Sequence, residues 1–146
     1  MLKNKTTVIK KSDLNVKWYL VDAKGVRLGR LATQCAALLI GKNKLERTNN
    51  MTSGDAVVII NASKVDVYKT KLDKKMYVTH STFRGGFKEV ALSKMLEKYP
   101  ERVIEIAIKG MLPKTKLRQE YLNNLYVYGG PIHTHEAQKP VKLEIK

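Results

Sequence analysis

Apolar positions fall into distinct runs along this chain, and each kind of run predicts a different element. Trp18-Tyr19-Leu20-Val21-Asp22 and Ala56-Val57-Val58-Ile59-Ile60-Asn61 are nearly unbroken apolar stretches. Their length and β-branched content predict strands buried on both faces, as in a parallel sheet. Between them, Leu28, Leu31, Ala32, Cys35, Ala36 and Leu39 recur at three- and four-residue intervals, which predicts a helix with one apolar stripe. Ala23-Lys24-Gly25 reads as the turn before that helix. Gly41 stands where a left-handed residue would close it, and Lys42 and Lys44 lie beside its negative end. Strand, helix and strand in this order imply a right-handed crossover.

Farther along, the pattern weakens. Residues 42–55 form a polar loop rich in Asn, Thr and Ser. Residues 65–68 and 76–78 are short strand candidates, separated by a basic loop with Lys69, Lys71, Lys74 and Lys75. Two glycines break the chain within residues 83–87. Ala91, Leu92, Met95, Leu96 and Tyr99 predict a second helix, and Pro100 opens a third at a position where its missing N–H costs nothing. Val103, Ile104, Ala107, Ile108 and Met111 give that third helix an apolar face. Ile104, Ile106 and Ile108 also fit strand alternation, but length and the leading Pro-Glu favour helix. A short helix over residues 116–124 sets Leu117, Tyr121 and Leu122 on one side. Residues 125–128 read as the last strand, and residues 129–146 as turns with basic residues. There is no internal repeat and no linker, and 146 residues suit one domain. The expected organisation is a flexible basic tail over residues 1–16 and a single domain over 17–146.

Charge changes the picture more than composition does. With 28 Lys and Arg against 13 Asp and Glu, the formal net charge is +15. So large an excess on one small domain calls for a polyanionic partner, and nucleic acid is the default. An anionic membrane surface is the rival, but no Lys-rich helix carries Trp and Phe on its other face. No apolar run approaches a membrane span. Cys35 is the single cysteine, so no internal disulfide can form, which fits a reducing compartment. On the apolar stripe it reads as a small packing residue. The first residues lack the apolar core of a secretory signal.

Signals for catalysis are weak. Gly25-Val26-Arg27-Leu28-Gly29-Arg30 follows a strand and opens a helix, where dinucleotide phosphates bind. It lacks the G-x-G-x-x-G spacing, and Asn61 replaces the acidic residue expected after the second strand. The simpler reading is that Gly25 makes the turn and Gly29 allows close helix–sheet packing. Gly41-Lys42-Asn43 is no phosphate loop, because the preceding glycine and the following Ser or Thr are missing. His133 and His135 alternate, a spacing that suits a metal. A third ligand and a supporting shell are wanting, however, with only His80 and scattered carboxylates on offer. Stacking on RNA, or hydrogen bonding to it, is the better use of both rings. Ser53, Ser63, Ser81 and Ser93 have no base and acid in train, and His80-Ser81 alone makes no triad.

The cations form clusters in loops and at element ends: Lys42, Lys44 and Arg47; Lys69, Lys71, Lys74 and Lys75; then Lys109, Lys114, Lys116 and Arg118 around Gly110 and Pro113. Loops on a rigid core are where binding residues tend to sit, and cations there neutralise phosphates. Tyr68, Tyr77, Phe83, Tyr126 and Tyr128 lie nearby and read mostly as core or sheet packing.

Several ordered blocks now resemble one family. They are Trp18-Tyr19-Leu20-Val21-Asp22-Ala23, Leu28-Gly29-Arg30-Leu31-Ala32, Gly41-Lys42, Gly54-Asp55, Asn61-Ala62-Ser63-Lys64, Gly85-Gly86 and Pro100-Glu101-Arg102-Val103-Ile104-Glu105-Ile106-Ala107. Gly110-Met111-Leu112-Pro113-Lys114 follows, then His133, His135, Ala137, Gln138 and Pro140. From about Trp18 to Pro140 the chain resembles the bacterial form of the L-thirteen family of large-subunit ribosomal proteins. The resemblance implies a three-layer α/β/α domain with a small, mostly parallel four-stranded sheet. It implies binding to large-subunit ribosomal RNA, contact with neighbouring ribosomal proteins, an early part in subunit assembly, and no catalysis. The chain departs from the family pattern in three places. Thr48-Asn49 stands for Thr-Pro, Tyr68-Lys69 for Thr-Gly, and Thr115-Lys116-Leu117-Arg118-Gln119 for Gly-Pro-Leu-Gly-Arg. The last change trades backbone flexibility for charge and should let the next helix start earlier.

The sequence therefore predicts a structural constituent of the large ribosomal subunit, cytoplasmic or in a plastid ribosome. Its expected RNA-binding residues are Arg30, Lys42, Lys44, Arg47, Lys69, Lys71, Lys74, Lys75, Arg84, Lys114, Lys116, Arg118, His133, His135 and Lys139. No cofactor, metal, membrane or small-molecule substrate is expected. An RNA-modifying enzyme with a nucleotide-type fold is the runner-up, and a DNA-binding protein the third reading.

Overall fold

A computed structural model describes residues 9–45 and 47–145. Strand β1 (Trp18–Asp22) runs parallel to β2 (Ala56–Ile60), with Trp18 opposite Ala56 and Asp22 opposite Ile60. Helix α1 (Leu28–Ile40) joins them. All three match the elements that the apolar pattern predicts. A three-residue strand flanks each side: Leu125–Val127 pairs with β2, and Val141–Leu143 pairs with β1. The four-stranded sheet is parallel throughout, and its two central strands are the long apolar ones. Central strands of a parallel sheet are covered on both faces, which explains why β2 is apolar at every position.

Three helices cover one face. Val21, Val57 and Ile59 alternate toward α1, α4 (Pro100–Met111) and α5 (Arg118–Asn123). There they meet Leu31, Cys35 and Leu39 from α1, Ile104 and Ile108 from α4, and Tyr121 from α5, all buried. Helix, not strand, is thus the outcome for the Ile104-Ile106-Ile108 segment. On the opposite face Leu20 and Val58 are buried, and the rings of Trp18 and Tyr126 stack at 5.4 Å. His135, from the segment returning to the sheet edge, lies 4.2 Å from the Tyr126 ring and 5.2 Å from Trp18. The domain is an α/β fold around a small parallel sheet.

The C-terminal end of α1 shows how tightly the first crossover is fixed. Gly41 is left-handed at φ 77°, its N–H donates to Leu38 O, and Lys42 N–H donates to Ala37 O. This pair of bonds is the Schellman closure that a glycine there permits. The loop then folds back on the helix: Asp55 N–H donates to Leu38 O, and a Cβ on Gly54 would stand 1.7 Å from Leu39 O. The Asp55 side chain is buried. Its Oδ1 accepts the Lys17 N–H at 2.9 Å and Lys44 Nζ at 2.5 Å. Lys44 Nζ also donates to Asn15 O at 2.8 Å. One carboxylate thus joins the entry to β1, the loop after α1 and the entry to β2.

The middle of the chain departs from the sequence expectation. Residues 65–68 make no strand. Asp66 forms a single parallel bridge to Arg27, with Leu28 N–H donating to Asp66 O. The expected basic loop is helix α2 (Lys69–Lys74). Strand β3 (Met76–His80) pairs antiparallel with β4 (Phe87–Ala91), a strand that the Gly85-Gly86 break hides in the sequence. Helix α3 (Leu92–Lys98) starts at the fully buried Leu92, whose N–H donates to Lys75 O. The hairpin is exposed on most of its length, and Phe83 at its tip is 78% exposed. The edge strand Val141–Leu143 falls where the sequence predicts only turns. Residues 1–8 of the expected basic tail lie outside the described residues, while Lys11–Asp13 form a 3-10 turn.

A correction applies to Gly29. A Cβ there would meet nothing within 4 Å, so close helix–sheet packing is not what the glycine serves. The two glycines give a contrast. Gly54→Ala should lower stability by about 3 kcal/mol, because the Leu39 carbonyl cannot move without breaking the turn. Gly29→Ala should change it by less than about 1 kcal/mol, and in the stabilising direction. Urea denaturation midpoints of the two variants measure both.

Candidate nucleic-acid interface

The cations fall into three structural situations. The first is a groove of about 720 Å3 between the start of α1, helix α2 and the end of α4. Arg30, Lys71 and Lys75, distant in sequence, line it together with Gly110 and Met111. Arg27 lines it as well, and the sequence reading missed its role. Its guanidinium sits 4.6 Å from the Tyr68 ring centre, hydrogen-bonds the Tyr68 hydroxyl, and lies 3.9 Å from Asp66. Tyr68 is 52% exposed, so it is not the packing residue that the sequence suggested. A tyrosine opening a six-residue helix under an arginine is legible only once residues 27 and 68 are seen to meet.

The second situation is outward display. Lys42, Lys69, Lys74, Arg84, Lys114, Lys116 and Lys139 are all exposed. Arg84 rides the hairpin turn, where Gly85 takes φ 73° and Gly86 N–H donates to Phe83 O. Lys139 is left-handed at φ 47° in a turn closed by its N–H to Glu136 O. Arg47 is exposed and makes a long contact of 3.4 Å to Asn49. Lys114 and Lys116 follow in sequence from the groove residues Gly110 and Met111.

The third situation is engagement inside the protein. Lys44 is only 15% exposed along its side chain and is paired with buried Asp55. Arg118 donates Nε to Pro113 O at 3.1 Å and Nη2 to Leu112 O at 3.4 Å, which shapes the turn carrying Lys114 and Lys116. Helix α5 starts at Arg118, with its N–H donating to Thr115 O in the turn before it. These two cations hold loops in place, while their neighbours face outward.

His133 and His135 are brought together, but against protein rings. Besides the contacts of His135 with Trp18 and Tyr126, His133 lies 6.5 Å from Tyr128, and His135 N–H donates to His133 Nδ1 at 3.2 Å. Both remain half-buried. Among the described residues no group of three His, Cys, Asp or Glu gathers as metal ligands. Cys35 is buried, and desolvation pushes its thiol up to about 12, so thiolate is scarce at neutral pH. At the end of β1 the Asn61 side-chain amide donates to Asp22 at 2.8 Å, and with the Lys24 N–H it holds that carboxyl below its ordinary 3.8. Asn61 itself is left-handed at φ 59°. The residue found where a dinucleotide site would carry an acid is thus engaged in closing the turn. No helix among the described residues is long and apolar enough to cross a membrane.

The surface is thus divided, with Lys44 and Arg118 engaged inward and the other cations displayed from helices, turns and loops. Comparison with known proteins names the family. The family model described as ribosomal protein L13 matches residues 16–134. The chain belongs to the ribosomal protein L13 family. Among its relatives, "Large ribosomal subunit protein uL13" of Mycoplasmopsis pulmonis is 48% identical over 97% of this chain and 98% of that protein. The protein of the same name from Agathobacter rectalis is 50% identical over 96% and 99%. That from Lachnospira eligens is 51% identical over 96% and 99%. This is a family of ribosomal proteins and not of enzymes, so the runner-up reading is set aside.

The inward and outward lysines can be told apart by stability. Lys44→Met strands a buried carboxylate and should cost about 3 kcal/mol. Lys42→Met, two residues away on the exposed surface, should stay within about 0.5 kcal/mol of the wild type. Equal urea midpoints for the two variants would contradict the inward role of Lys44.

Proposed function

We propose that this protein is a structural constituent of the large ribosomal subunit, which binds large-subunit ribosomal RNA and holds RNA segments in fixed relation early in subunit assembly. The observation that carries the reading is membership of the ribosomal protein L13 family along nearly the whole chain, with relatives named as large-subunit proteins. The net charge of +15 supports a polyanionic partner. Residues 17–146 act as one unit, with the preceding residues as a basic tail. Neighbouring large-subunit ribosomal proteins are its other partners.

The RNA-facing set is Arg30, Lys42, Arg47, Lys69, Lys71, Lys74, Lys75, Arg84, Lys114, Lys116 and Lys139, joined by Arg27. Lys44 and Arg118 serve the set by shaping its loops. His133 and His135 contribute by stacking the returning segment on the sheet, beside Lys139. Recognition rests on the spacing of phosphates in folded RNA, because the cations are displayed from separate elements of a rigid core and need no base edges.

The test is the salt dependence of binding to large-subunit ribosomal RNA. Lys114→Gln with Lys116→Gln should keep the wild-type melting temperature, weaken binding, and lower the slope of log K against log salt by about 2, one for each phosphate that the protein no longer neutralises. An unchanged slope for the folded double variant contradicts the assignment.

A further inference from the structure

The groove between α1, α2 and α4 has two chemistries in one space. Its rim carries Arg27, Arg30, Lys71 and Lys75 against the single carboxylate of Asp66. Its floor is apolar, and Ile106 and Met111 there remain 41% and 44% exposed. On the same helix Val103, Ile104 and Ile108 face the core and are fully buried, while Ile106 and Met111 lie on the outer side and line the groove. The half-exposed Tyr68 ring stands at the edge, fixed by the Arg27 guanidinium. A bare phosphate would need only the rim, and a purely apolar ligand would leave the cations unanswered. A base-paired stem offers backbone alone, since its bases are stacked inside. An unpaired nucleotide offers both a flat apolar base and its phosphates. The volume of about 720 Å3 lies in the range of sites that enclose small ligands.

Position points the same way. The groove opens beside the connection that leaves the carboxyl end of β1. From β1 the sheet grows on one side through β2 and on the other through the strand Val141–Leu143. Open α/β sheets bind ligands outside the carboxyl ends of their strands. The chain has no dinucleotide-binding glycine pattern, but it keeps the place and lines it with cations and a ring.

We infer that the groove receives one unpaired nucleotide of the ribosomal RNA, with its base against Tyr68 and the floor of Ile106 and Met111, and its phosphates on Arg30, Lys71 and Lys75. This rests on the RNA-binding reading above and adds a base-accommodating pocket to what would otherwise be phosphate contacts alone. Stacking on an aromatic ring tolerates any base, so the groove selects an unpaired nucleotide and not a particular sequence.

The experiment is ultraviolet cross-linking of the full-length protein bound to deproteinised large-subunit ribosomal RNA, with the modified peptides mapped by mass spectrometry. Nucleotide adducts are expected on the peptides carrying Tyr68 or Met111. In parallel, Arg30→Gln with Lys71→Gln, and separately Ile106→Glu, should each weaken RNA binding about tenfold or more at unchanged melting temperature. The surface double variant keeps the test valid if Ile106→Glu folds poorly. Adducts confined to other peptides, together with wild-type affinity for the double variant, overturn the inference and leave the RNA-binding reading intact. Micromolar binding of free adenosine monophosphate would assign the groove to a free nucleotide and likewise overturn it. So would cross-links from the groove to a neighbouring protein, and not to RNA, when whole subunits are irradiated. If the wild-type protein fails to bind the RNA at all, the broader reading falls first and the inference with it.

Discussion

The buried carboxylate of Asp55 is the constraint on which the rest of the structure depends. It sits at the entry to β2, accepts the backbone N–H of Lys17 just before β1, and pairs with Lys44 from the loop after α1. Its own N–H closes on Leu38 in the last turn of α1. Three chain segments that must meet for a parallel crossover to close are thus tied at one residue. An ionised carboxylate out of water is costly unless it is paired, so the pair favours the one arrangement in which all three segments are in place. Gly41 and Gly54 belong to the same device. The first lets the helix end sharply, and the second lets the returning loop lie directly on the helix carbonyls.

That rigidity matters because the displayed cations repel one another. Holding Lys71, Lys75, Arg27 and Arg30 around one groove concentrates positive charge, and only a core that does not yield can keep it there. Lys44 and Arg118 show that cationic side chains are part of the scaffold itself: one neutralises the buried acid, and the other ties two loop carbonyls. Arg27 stands between the two roles. It fixes Tyr68 and bridges toward Asp66, while its charge still lines the groove.

Much of the fold was legible because burial leaves a period in the sequence. The strand at Ala56, the stripe on α1 and the Pro100 start of α4 all answer to one well-defined core. Of the hairpin, residues 76–78 of β3 read as a strand, but β4 left no such trace. Most of its residues face solvent, so nothing imposes an alternation, and the glycines of its turn looked like a break. The edge strand Val141–Leu143 is too short to show a period. Helix α2 is six residues long and buries none of them, so its lysines read as a loop. In the site, the clusters of cations were legible from spacing alone. Which of them turn inward was not, because Lys44 is distinguished from Lys42 only by a carboxylate eleven residues away that the fold brings within 2.5 Å. The groove was invisible for the same reason, since Arg27 and Tyr68 meet only in three dimensions.

Whether the displayed charge serves the large ribosomal subunit is decided by sedimentation of a cell lysate through sucrose gradients at moderate and at high salt, following this chain. Co-migration with the large subunit should survive the salt wash, as expected of a protein gripping folded RNA at many points. A chain that stays at the top of the gradient would contradict that role and assign the charge to some other polyanion.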